Sequence, residues 1–215
     1  MKRAVDLLMF DLDGTLADTG RDIADAVNHT RAHFNLPGLP DVFVYSQVGH
    51  GVEYLLRHSV PEEAPDRFPE IMRVFLDHYE RHLLDATALY PGVIETLQHF
   101  SAKKKVVVSN KMHRFTMAIL RGLDIADRFD AILGGDSVGE KKPHPALLHH
   151  VLRRFDLPPE RAAIIGDGDT NVQAGKAASV LTCGVSYGLG NKERLLAARP
   201  DFIVDTFGDL LNCFY

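Results

Sequence analysis

Short apolar runs that alternate with helical patterns are the feature that most constrains the fold of this 215-residue chain. The runs are too short for helices, and they are too continuous for strands that have one face in water. They predict buried parallel strands in a sheet that helices cover on both faces. The runs lie at residues 4–10, 105–110, 131–133, 162–167, 181–185 and 202–204. We therefore expect an α/β fold with a Rossmann-like parallel sheet core.

The segment between the first two runs has a different pattern. Its apolar residues recur at helical spacing over 19–35, in a short stretch of 41–60, and from about Pro65 to Leu84. Residues 17–88 are therefore predicted to be an all-helical cap domain, inserted into a core formed by 1–16 and 89–215. Thr19-x-x-Asp22 and Thr170-x-x-Gln173 have the spacing of capping boxes at helix starts.

Two carboxylates directly follow the first apolar run. Asp11 and Asp13 lie where a buried strand opens into a loop, and ionised side chains at such a position need a cation or a reaction that uses them. Asp11 fits a carboxylate nucleophile, and Asp13 fits a group that transfers the proton. We expect the backbone N–H groups of Gly14 and Thr15 to curl around an anion. The alternative is an Asx-type turn in which both aspartates only bond to the loop backbone.

Polar residues also follow two later runs. Ser109 and Asn110 end one of them, and Asp167 and Asp169 follow another. Because the carboxyl ends of parallel strands meet at one edge of a sheet, these side chains are expected to converge on Asp11. Ser109 and Asn110 would either bind phosphate oxygens or cap the following helix. A third carboxylate, Asp167, makes a hard divalent cation such as Mg²⁺ the natural partner of the cluster.

Two further residues are candidates for contact with the substrate. The ammonium of Lys142, which Pro143 restricts to extended conformations, would neutralise phosphate charge and offset repulsion among the aspartates. The alternative is a solvated surface lysine. His50 lies between Gly49 and Gly51 and is expected to face the substrate. The remaining histidines are predicted to lie mostly on helix surfaces, and their two i, i+4 pairs, His29/His33 and His78/His82, lack the nearby carboxylate of a zincin pattern.

Composition excludes several other classes of function. The 24 Lys and Arg residues against 29 Asp and Glu residues give a net charge of -5, and no basic stripe indicates nucleic-acid binding. No apolar run has the length of a membrane span, and the first strand begins too early to leave room for a signal peptide. Cys183 and Cys213 suggest neither a disulfide framework nor a metal pair. These features predict a cytoplasmic protein.

Four segments, taken together, resemble the motifs of the haloacid dehalogenase-like hydrolases, in particular the phosphoglycolate phosphatases and their close relatives. The segments are Phe10–Leu16, Val108–Lys111, Lys142–Pro145 and Gly166–Asp167. The insertion at 17–88 matches the cap domain that this family places between its first and second motifs. Gly49-His50-Gly51 resembles the loop of the cap that faces the substrate.

This resemblance implies a role for each matching residue. Asp11 would attack phosphorus and become an aspartyl-phosphate, while Asp13 would protonate the leaving oxygen and then deprotonate water. Mg²⁺ would be held by the Asp11 carboxylate, the backbone carbonyl of Asp13, and Asp167. Ser109 and Lys142 would hold the transferring phosphoryl group. The partner implied is a small phosphorylated metabolite, bound by a monomer or homodimer.

One position departs from the family pattern. Asn171 stands where the fourth motif usually carries another aspartate, so we expect weaker Mg²⁺ binding, with Asn171 and Asp169 acting through water. Dehalogenases of the superfamily lack the second aspartate of the first motif, so Asp13 disfavours that chemistry. The alternatives left open are a phosphomutase, a sugar-phosphate or pyrophosphate hydrolase, and a non-catalytic phosphate-binding descendant.

The leading substrate from the resemblance is 2-phosphoglycolate. Its carboxylate would need a cation or another donor from the cap or its surroundings. Arg21, His50, Arg57 and Lys111 are the candidates, and the sequence does not choose among them.

Overall fold

The computed structural model describes residues 2–61 and 67–215 of the chain. Within them, six parallel strands form the main sheet: β1 (Leu7–Phe10), β4 (Lys104–Val108), β5 (Ala131–Leu133), β6 (Ala162–Gly166), β7 (Leu181–Val185) and β8 (Phe202–Val204). A separate pair consists of β2 (Ala17–Asp18) and β3 (Ala88–Leu89). The main sheet has the order β5-β4-β1-β6-β7-β8. β1 therefore lies in the interior of the sheet, and its carboxyl end lies between those of β4 and β6.

The apolar sequence of β1 explains this central position. All four of its residues are fully buried, and Phe10 pairs with Val107 on one side and Ile165 on the other. Successive side chains of a strand point to opposite faces. Leu8 and Phe10 accordingly pack in one apolar cluster, whereas Leu7 and Met9 pack in a second. A sheet buried on both faces confirms the predicted α/β fold.

The described helices are α1 (Gly20–His33), α2 (Asp41–Tyr45), α3 (Val52–Ser59), α4 (Phe68–His82), α5 (Val93–His99), α6 (His113–Gly122), α7 (Ala146–Phe155), α8 (Asp169–Ala177) and α9 (Lys192–Ala197). Four of them, α1–α4, lie between β2 and β3 in the sequence, and we call them the cap helices. The predicted start of the third cap segment, Pro65, lies outside the described residues. No helix in the described part of the chain is long and apolar enough to cross a membrane.

The ribbon of β2 and β3 joins the cap helices to the sheet, and it was not predicted. Ala17 pairs with Leu89, and the buried carboxylate of Asp22 accepts hydrogen bonds from Ala86 N and from both the N–H and hydroxyl of Thr87. The carboxylate thus ties the start of α1 to the end of the cap segment. The division into cap and core at 16/17 and 88/89 stays a prediction.

The two predicted capping boxes are wrong. Thr19 is the N-cap residue of α1, but its side chain makes no capping bond, because its hydroxyl donates to Asp13 Oδ1 at 2.6 Å. The second helix, α8, begins after Gly168, and Gln173 donates to Asp169 rather than to a capping partner. The side chain of Thr19 therefore supports a candidate site residue instead of the helix end.

Two cysteines that are distant in sequence lie side by side in the fold. Cys183 on β7 and Cys213 near the C-terminus are both buried free thiols. The interaction between the two thiols raises the pKa of Cys183 and lowers that of Cys213. The sequence had not predicted this contact.

Three imidazole rings stack where α1 meets α4. The ring centroids of His29 and His78 are 3.8 Å apart, and those of His78 and His82 are 4.3 Å apart. His78, the middle ring, is half-buried. Its pKa is lowered by burial and by the two neighbouring imidazoles. Protonation of the stack therefore opposes folding of the cap helices.

We expect the contribution of His78 to the free energy of unfolding to fall as the pH is lowered from about 7.5 to about 5.5. Because the pKa of folded His78 lies below its unfolded value, its stabilising contribution is full above the unfolded pKa and is lost as pH falls through the folded pKa. Urea denaturation at each pH measures the effect, and His78→Gln should reduce the slope. Parallel pH profiles for the two proteins would contradict this assignment.

Candidate active site

Three strand ends place side chains from remote parts of the sequence together. Asp11 follows β1, Ser109 follows β4 and Asp167 follows β6, and all three are buried. Lys142, from the loop before α7, reaches the same point with its ammonium 3.0 Å from Asp11 Oδ2. The Lys142 side chain is fully buried, so its charge is directed at the site and not at solvent.

An amide connects this lysine to the first aspartate. Asn171 accepts a hydrogen bond from Lys142 Nζ at 2.7 Å and donates through Nδ2 to Asp11 Oδ2 at 2.9 Å. Lys142 Nζ also donates to the carbonyl of Val108 at 2.7 Å. The oxygen and the nitrogen of the Asn171 amide are therefore both hydrogen-bonded. An ionised aspartate can only accept, so it could replace the bond from Lys142 but not the bond to Asp11.

Asp167 lies against the loop that carries Asp11. Its Oδ2 accepts backbone hydrogen bonds from Leu189 and Gly190, each at 2.8 Å. Burial, and then the negative charge of Asp11, raises the pKa of Asp167 to about 7, although the backbone donors act in the opposite direction. The sequence analysis missed the 186–190 loop. The sequence feature that could have indicated this loop is a pair of glycines, Gly188 and Gly190, shortly after the apolar strand Leu181–Val185.

The predicted anion cradle at Gly14 and Thr15 is wrong. Gly14 N–H donates to the carbonyl of Ala17 at 2.9 Å, and Thr15 N–H donates to that of Leu12 at 3.2 Å, so both close a turn of their own loop. The Asx-type alternative is partly realised, because Asp11 Oδ1 accepts from the backbone of Leu12 at 2.8 Å. The Thr15 hydroxyl is buried and finds no partner among the described residues.

Asp13 is held by a cation and a hydroxyl. Its Oδ1 lies 2.8 Å from Lys111 Nζ and 2.6 Å from the hydroxyl of Thr19. Lys111 Nζ also donates to the hydroxyl of Tyr79, on cap helix α4, at 2.7 Å. Burial lowers the pKa of Lys111, but the charge of Asp13 and the contact with Tyr79 raise it by more than burial lowers it. The pKa of Lys111 therefore lies above its ordinary value. Burial raises the pKa of Tyr79 to about 12.

Asn110 joins the cap to Lys142 through its side-chain amide. Its Nδ2 donates to the carbonyl of Gly49 at 2.8 Å and to that of Lys142 at 2.7 Å, while its Oδ1 accepts from the Lys142 N–H at 2.9 Å. The side-chain amide of Asn110 is thus already bonded, and phosphate binding by Asn110 stays a prediction. The capping alternative is wrong, because the N-cap of α6 is Met112. The Ser109 hydroxyl accepts from the Lys111 N–H at 3.2 Å and keeps its own hydrogen to donate.

Two predicted substrate residues lie outside this cluster. Arg21 is 61% exposed and pairs with Asp25 and Asp41 on the outer surface of the cap helices. Arg57 is also largely exposed and pairs with Glu53. Neither arginine is among the described residues that line the two cavities beside Asp11.

His50 lines a second, polar cleft on the Asp167 side of the cluster, together with Asp169 and Arg194. Its ring stacks on Tyr54 with the centroids 4.4 Å apart, and burial lowers its pKa. The carboxylate of Asp169 accepts from Gln173 at 3.0 Å. This cleft adjoins the chamber described next, since Asp13, Val48 and Gly49 line both.

A chamber of about 60 Å³ opens onto Asp11 and Asp13 from beneath the cap helices. Its polar lining is limited to these two aspartates, Ser109, the Asn110–Lys111 pair and the hydroxyl of Tyr79. The other described lining residues are Ile23, Val48, Gly49, Gly51, Val52, Leu55, Phe75, Leu76, Met112 and Phe115. The cluster therefore faces a polar cleft on the Asp167 side and a mainly apolar chamber on the other.

The donor atoms of the cluster fit Mg²⁺. Asp11 and Asp167 supply carboxylate oxygens, and Asp13 supplies a backbone carbonyl in the same loop. No group of three or more His, Cys, Asp or Glu side chains in the described residues has the arrangement of a metal site. Mg²⁺ is commonly bound through only one or two carboxylates, with water and phosphate completing the shell. Burial is the main cause of the raised pKa of Asp167, and the charge of Asp11 adds to it; a divalent cation would offset the repulsion between these two carboxylates.

Comparison with known proteins identifies the family. A family model for the haloacid dehalogenase-like hydrolases matches residues 8–185. The chain belongs to this family.

Relatives and solved structures of this hydrolase family match almost the whole chain. A protein named phosphoglycolate phosphatase from Colwellia psychrerythraea is 33% identical over 215 residues, covering 96% of this chain and 95% of its own. One of the same name from Vibrio vulnificus is 31% identical over 220 residues, with 98% and 96% covered. A crystal structure described as a predicted phosphoglycolate phosphatase from Haemophilus somnus superposes with a TM-score of 0.93 at 31% identity, covering 97% of each chain.

The amide at position 171 yields a test of metal affinity. Asn171→Asp adds a negative charge beside Asp11, so we expect Mg²⁺ to bind about tenfold more tightly. Turnover should nevertheless fall, because the donor to Asp11 Oδ2 is lost. Calorimetric titration with Mg²⁺ measures the affinity. Gln173→Glu, which adds the same charge on an exposed position of α8, is the matched control, and an equal gain there would contradict the local effect.

The bridge made by Asn110 yields a second test. Asn110→Ala removes the bonds that hold the backbone of Lys142 and the Gly49 loop, so we expect kcat to fall about tenfold to a hundredfold through misplacement of the ammonium. Steady-state kinetics measures kcat. Asn28→Ala is the control, because Asn28 makes similar backbone bonds to Leu39 within the cap segment. Equal losses in both variants would indicate general destabilisation instead.

Proposed function

We propose that this protein is a Mg²⁺-dependent phosphatase that hydrolyses a small phosphomonoester through an aspartyl-phosphate on Asp11. The observation that carries the proposal is that Asp11 and Asp13 lie close together but have different hydrogen-bond partners. The Asp11 carboxylate contacts Lys142 and Asn171, whereas Asp13, two residues later, is held at the chamber by Lys111 and Thr19. The first environment suits a nucleophile, and the second suits a proton carrier.

The nucleophile is oriented before the substrate arrives. Lys142 and Asn171 both contact Oδ2 of Asp11, and they fix the plane of its carboxylate while stabilising its negative charge. Lys142 and the hydroxyl of Ser109 are positioned to stabilise the charge that spreads over the phosphoryl oxygens during transfer. When bound, Mg²⁺ supplies further neutralisation of that charge. The aspartyl-phosphate formed on Asp11 then awaits water.

Asp13 is arranged to transfer a proton twice. Both of its described donors, Lys111 and Thr19, contact Oδ1. Oδ2 is therefore assigned to carry the proton to the leaving oxygen, and later to accept one from the water that attacks the aspartyl-phosphate. Because Lys111 neutralises the adjacent charge, the aspartate keeps its position in both protonation states.

The names of the relatives support 2-phosphoglycolate as a substrate of this chain. Of the four groups predicted to receive its carboxylate, Lys111 is the one that lines the chamber, and His50 lines the other cleft. A phosphomutase would use the same aspartates but would return the phosphoryl group to a second position on the sugar. The product therefore distinguishes the two reactions.

We expect purified protein with Mg²⁺ to release free phosphate from p-nitrophenyl phosphate and from a panel of small phosphomonoesters. Asp11→Asn should lower the rate at least about a thousandfold, because it removes the nucleophile. Phosphate release is followed colorimetrically, and mass spectrometry after acid quenching locates phosphorylation on the peptide containing Asp11. Asp25→Asn, on the exposed cap surface, is the control. An isomer as product, or full activity of Asp11→Asn, would contradict the proposal.

A further inference from the structure

We propose that Tyr79, on helix α4, is a positioning residue for proton transfer: its hydroxyl holds the ammonium of Lys111, and Lys111 in turn fixes the carboxylate of Asp13. The inference rests on the proposed function, because it takes Asp13 as the group that gives a proton to the leaving oxygen and later accepts one from water. It adds a residue that acts through another side chain. A hydrogen bond, an ion pair and the packing of the Tyr79 ring carry it.

Packing fixes the position of the Tyr79 hydroxyl. The residue is 2% exposed, and its ring stacks on Phe75 with the centroids 5.5 Å apart. Phe115, on α6, meets the same ring edge-on at a centroid distance of 5.3 Å. A tyrosine side chain has only two rotatable angles, so these contacts leave the ring little freedom to turn. The hydroxyl therefore follows the position of α4.

Lys111 has the opposite character, because a flexible four-carbon stem carries its ammonium. The ammonium has three N–H donors. One donates to the Tyr79 hydroxyl at 2.7 Å, and another pairs with Asp13 Oδ1 at 2.8 Å. The Lys111 side chain is 7% exposed, so water does not readily replace a lost partner. Without Tyr79, the flexible stem would be held at its charged end by Asp13 alone among the described residues.

The direction of the Asp13 carboxylate depends on this ammonium. Both described donors to the carboxylate, Lys111 Nζ and the Thr19 hydroxyl, contact Oδ1. Their positions therefore set the direction in which Oδ2 points. Proton transfer requires Oδ2 to come within about 2.6–3.2 Å of the leaving oxygen. A displacement of roughly 1 Å in a catalytic group lowers the rate by up to about a hundredfold.

A tyrosine suits this position better than a carboxylate would. Burial raises the pKa of Tyr79 to about 12, so its hydroxyl stays neutral. A neutral acceptor holds the ammonium without cancelling its charge, whereas a carboxylate would compete with Asp13 for it. The alternative is that Tyr79 is only a core residue whose hydroxyl satisfies a buried lysine. The two interpretations differ in what loss of the hydroxyl does to proton transfer.

Tyr79→Phe removes the hydroxyl and keeps the ring. With Mg²⁺, we expect kcat/KM for 2-phosphoglycolate, or for the best alkyl ester of the panel, to fall at least about tenfold, because an alkoxide leaves only with a proton from Asp13. The value for p-nitrophenyl phosphate should change less than about twofold, since p-nitrophenolate is a weak base and leaves without that proton. Tyr45→Phe is the matched control. Tyr45, on α2, makes no side-chain hydrogen bond to a described residue, so both values should stay unchanged.

The second chemical step gives a separate readout. Asp13 also accepts a proton from the water that attacks the aspartyl-phosphate, so Tyr79→Phe should slow its hydrolysis. With p-nitrophenyl phosphate, kcat and KM should therefore fall together while kcat/KM is retained. Acid quenching during turnover, followed by mass spectrometry, should find a larger fraction of Asp11 phosphorylated than in the unsubstituted protein. An unchanged fraction would contradict the assignment to Asp13.

A double-mutant cycle decides whether Tyr79 acts through Lys111. In a Lys111→Met background, adding Tyr79→Phe should change kcat/KM for the alkyl ester less than about twofold, because the ammonium is already absent. An undiminished effect in that background, or equal losses on both esters in Tyr79→Phe alone, would overturn the inference. Unsubstituted protein that releases phosphate from neither ester would instead overturn the proposed phosphatase, so the two failures are distinguishable.

Discussion

The contact between the ammonium of Lys142 and the carboxylate of Asp11 is the interaction on which the rest of the site depends. Both groups are buried, and breaking such a pair would leave one charge uncompensated in a poorly solvated place. Val108 and Asn171 complete the hydrogen bonds of the ammonium. Strand β4, the loop before α7 and helix α8 are therefore all held in register with the end of β1.

Hydrogen bonds also connect the segment predicted to form the cap to candidate site residues beside this pair. The carbonyl of Gly49 meets Asn110, and the hydroxyl of Tyr79 meets Lys111. Thr19, at the start of α1, meets Asp13. Each contact joins a residue of segment 17–88 to a candidate site residue, so the arrangement of the site depends on the position of that segment. A cap displaced from the sheet would leave the polar groups of the site without these partners.

The sequence predicted those features that have strong local signals. The apolar runs predicted every strand of the main sheet, and the topology rule for strand ends then brought Asp11, Ser109 and Asp167 together. The direction of individual hydrogen bonds has no such signal. Gly14 and Thr15 therefore turned out to close their own turn, and the Asn110 side chain to hold Lys142.

Contacts between distant segments were the other part that the sequence did not reveal. Arg21 was a reasonable partner for a carboxylate until the fold showed Asp41 beside it on the cap surface. Tyr79 had only the helical spacing of a core residue, although its hydroxyl accepts from Lys111. Such pairings depend on how α2 packs on α1 and on how α4 lies against the start of α6, and no local pattern encodes that packing.

The close approach of Gly14 to Asp167 has a consequence for mutation. A Cβ atom at position 14 would lie 1.9 Å from Asp167 Oδ2, and the backbone there has a φ of +72°. The loops after β1 and β6 thus approach so closely that only the hydrogen atom on the Cα of Gly14 fits between Gly14 and Asp167. Even alanine, the smallest chiral residue, would push apart two walls of the same site, so this position tolerates no side chain without rearrangement of both loops.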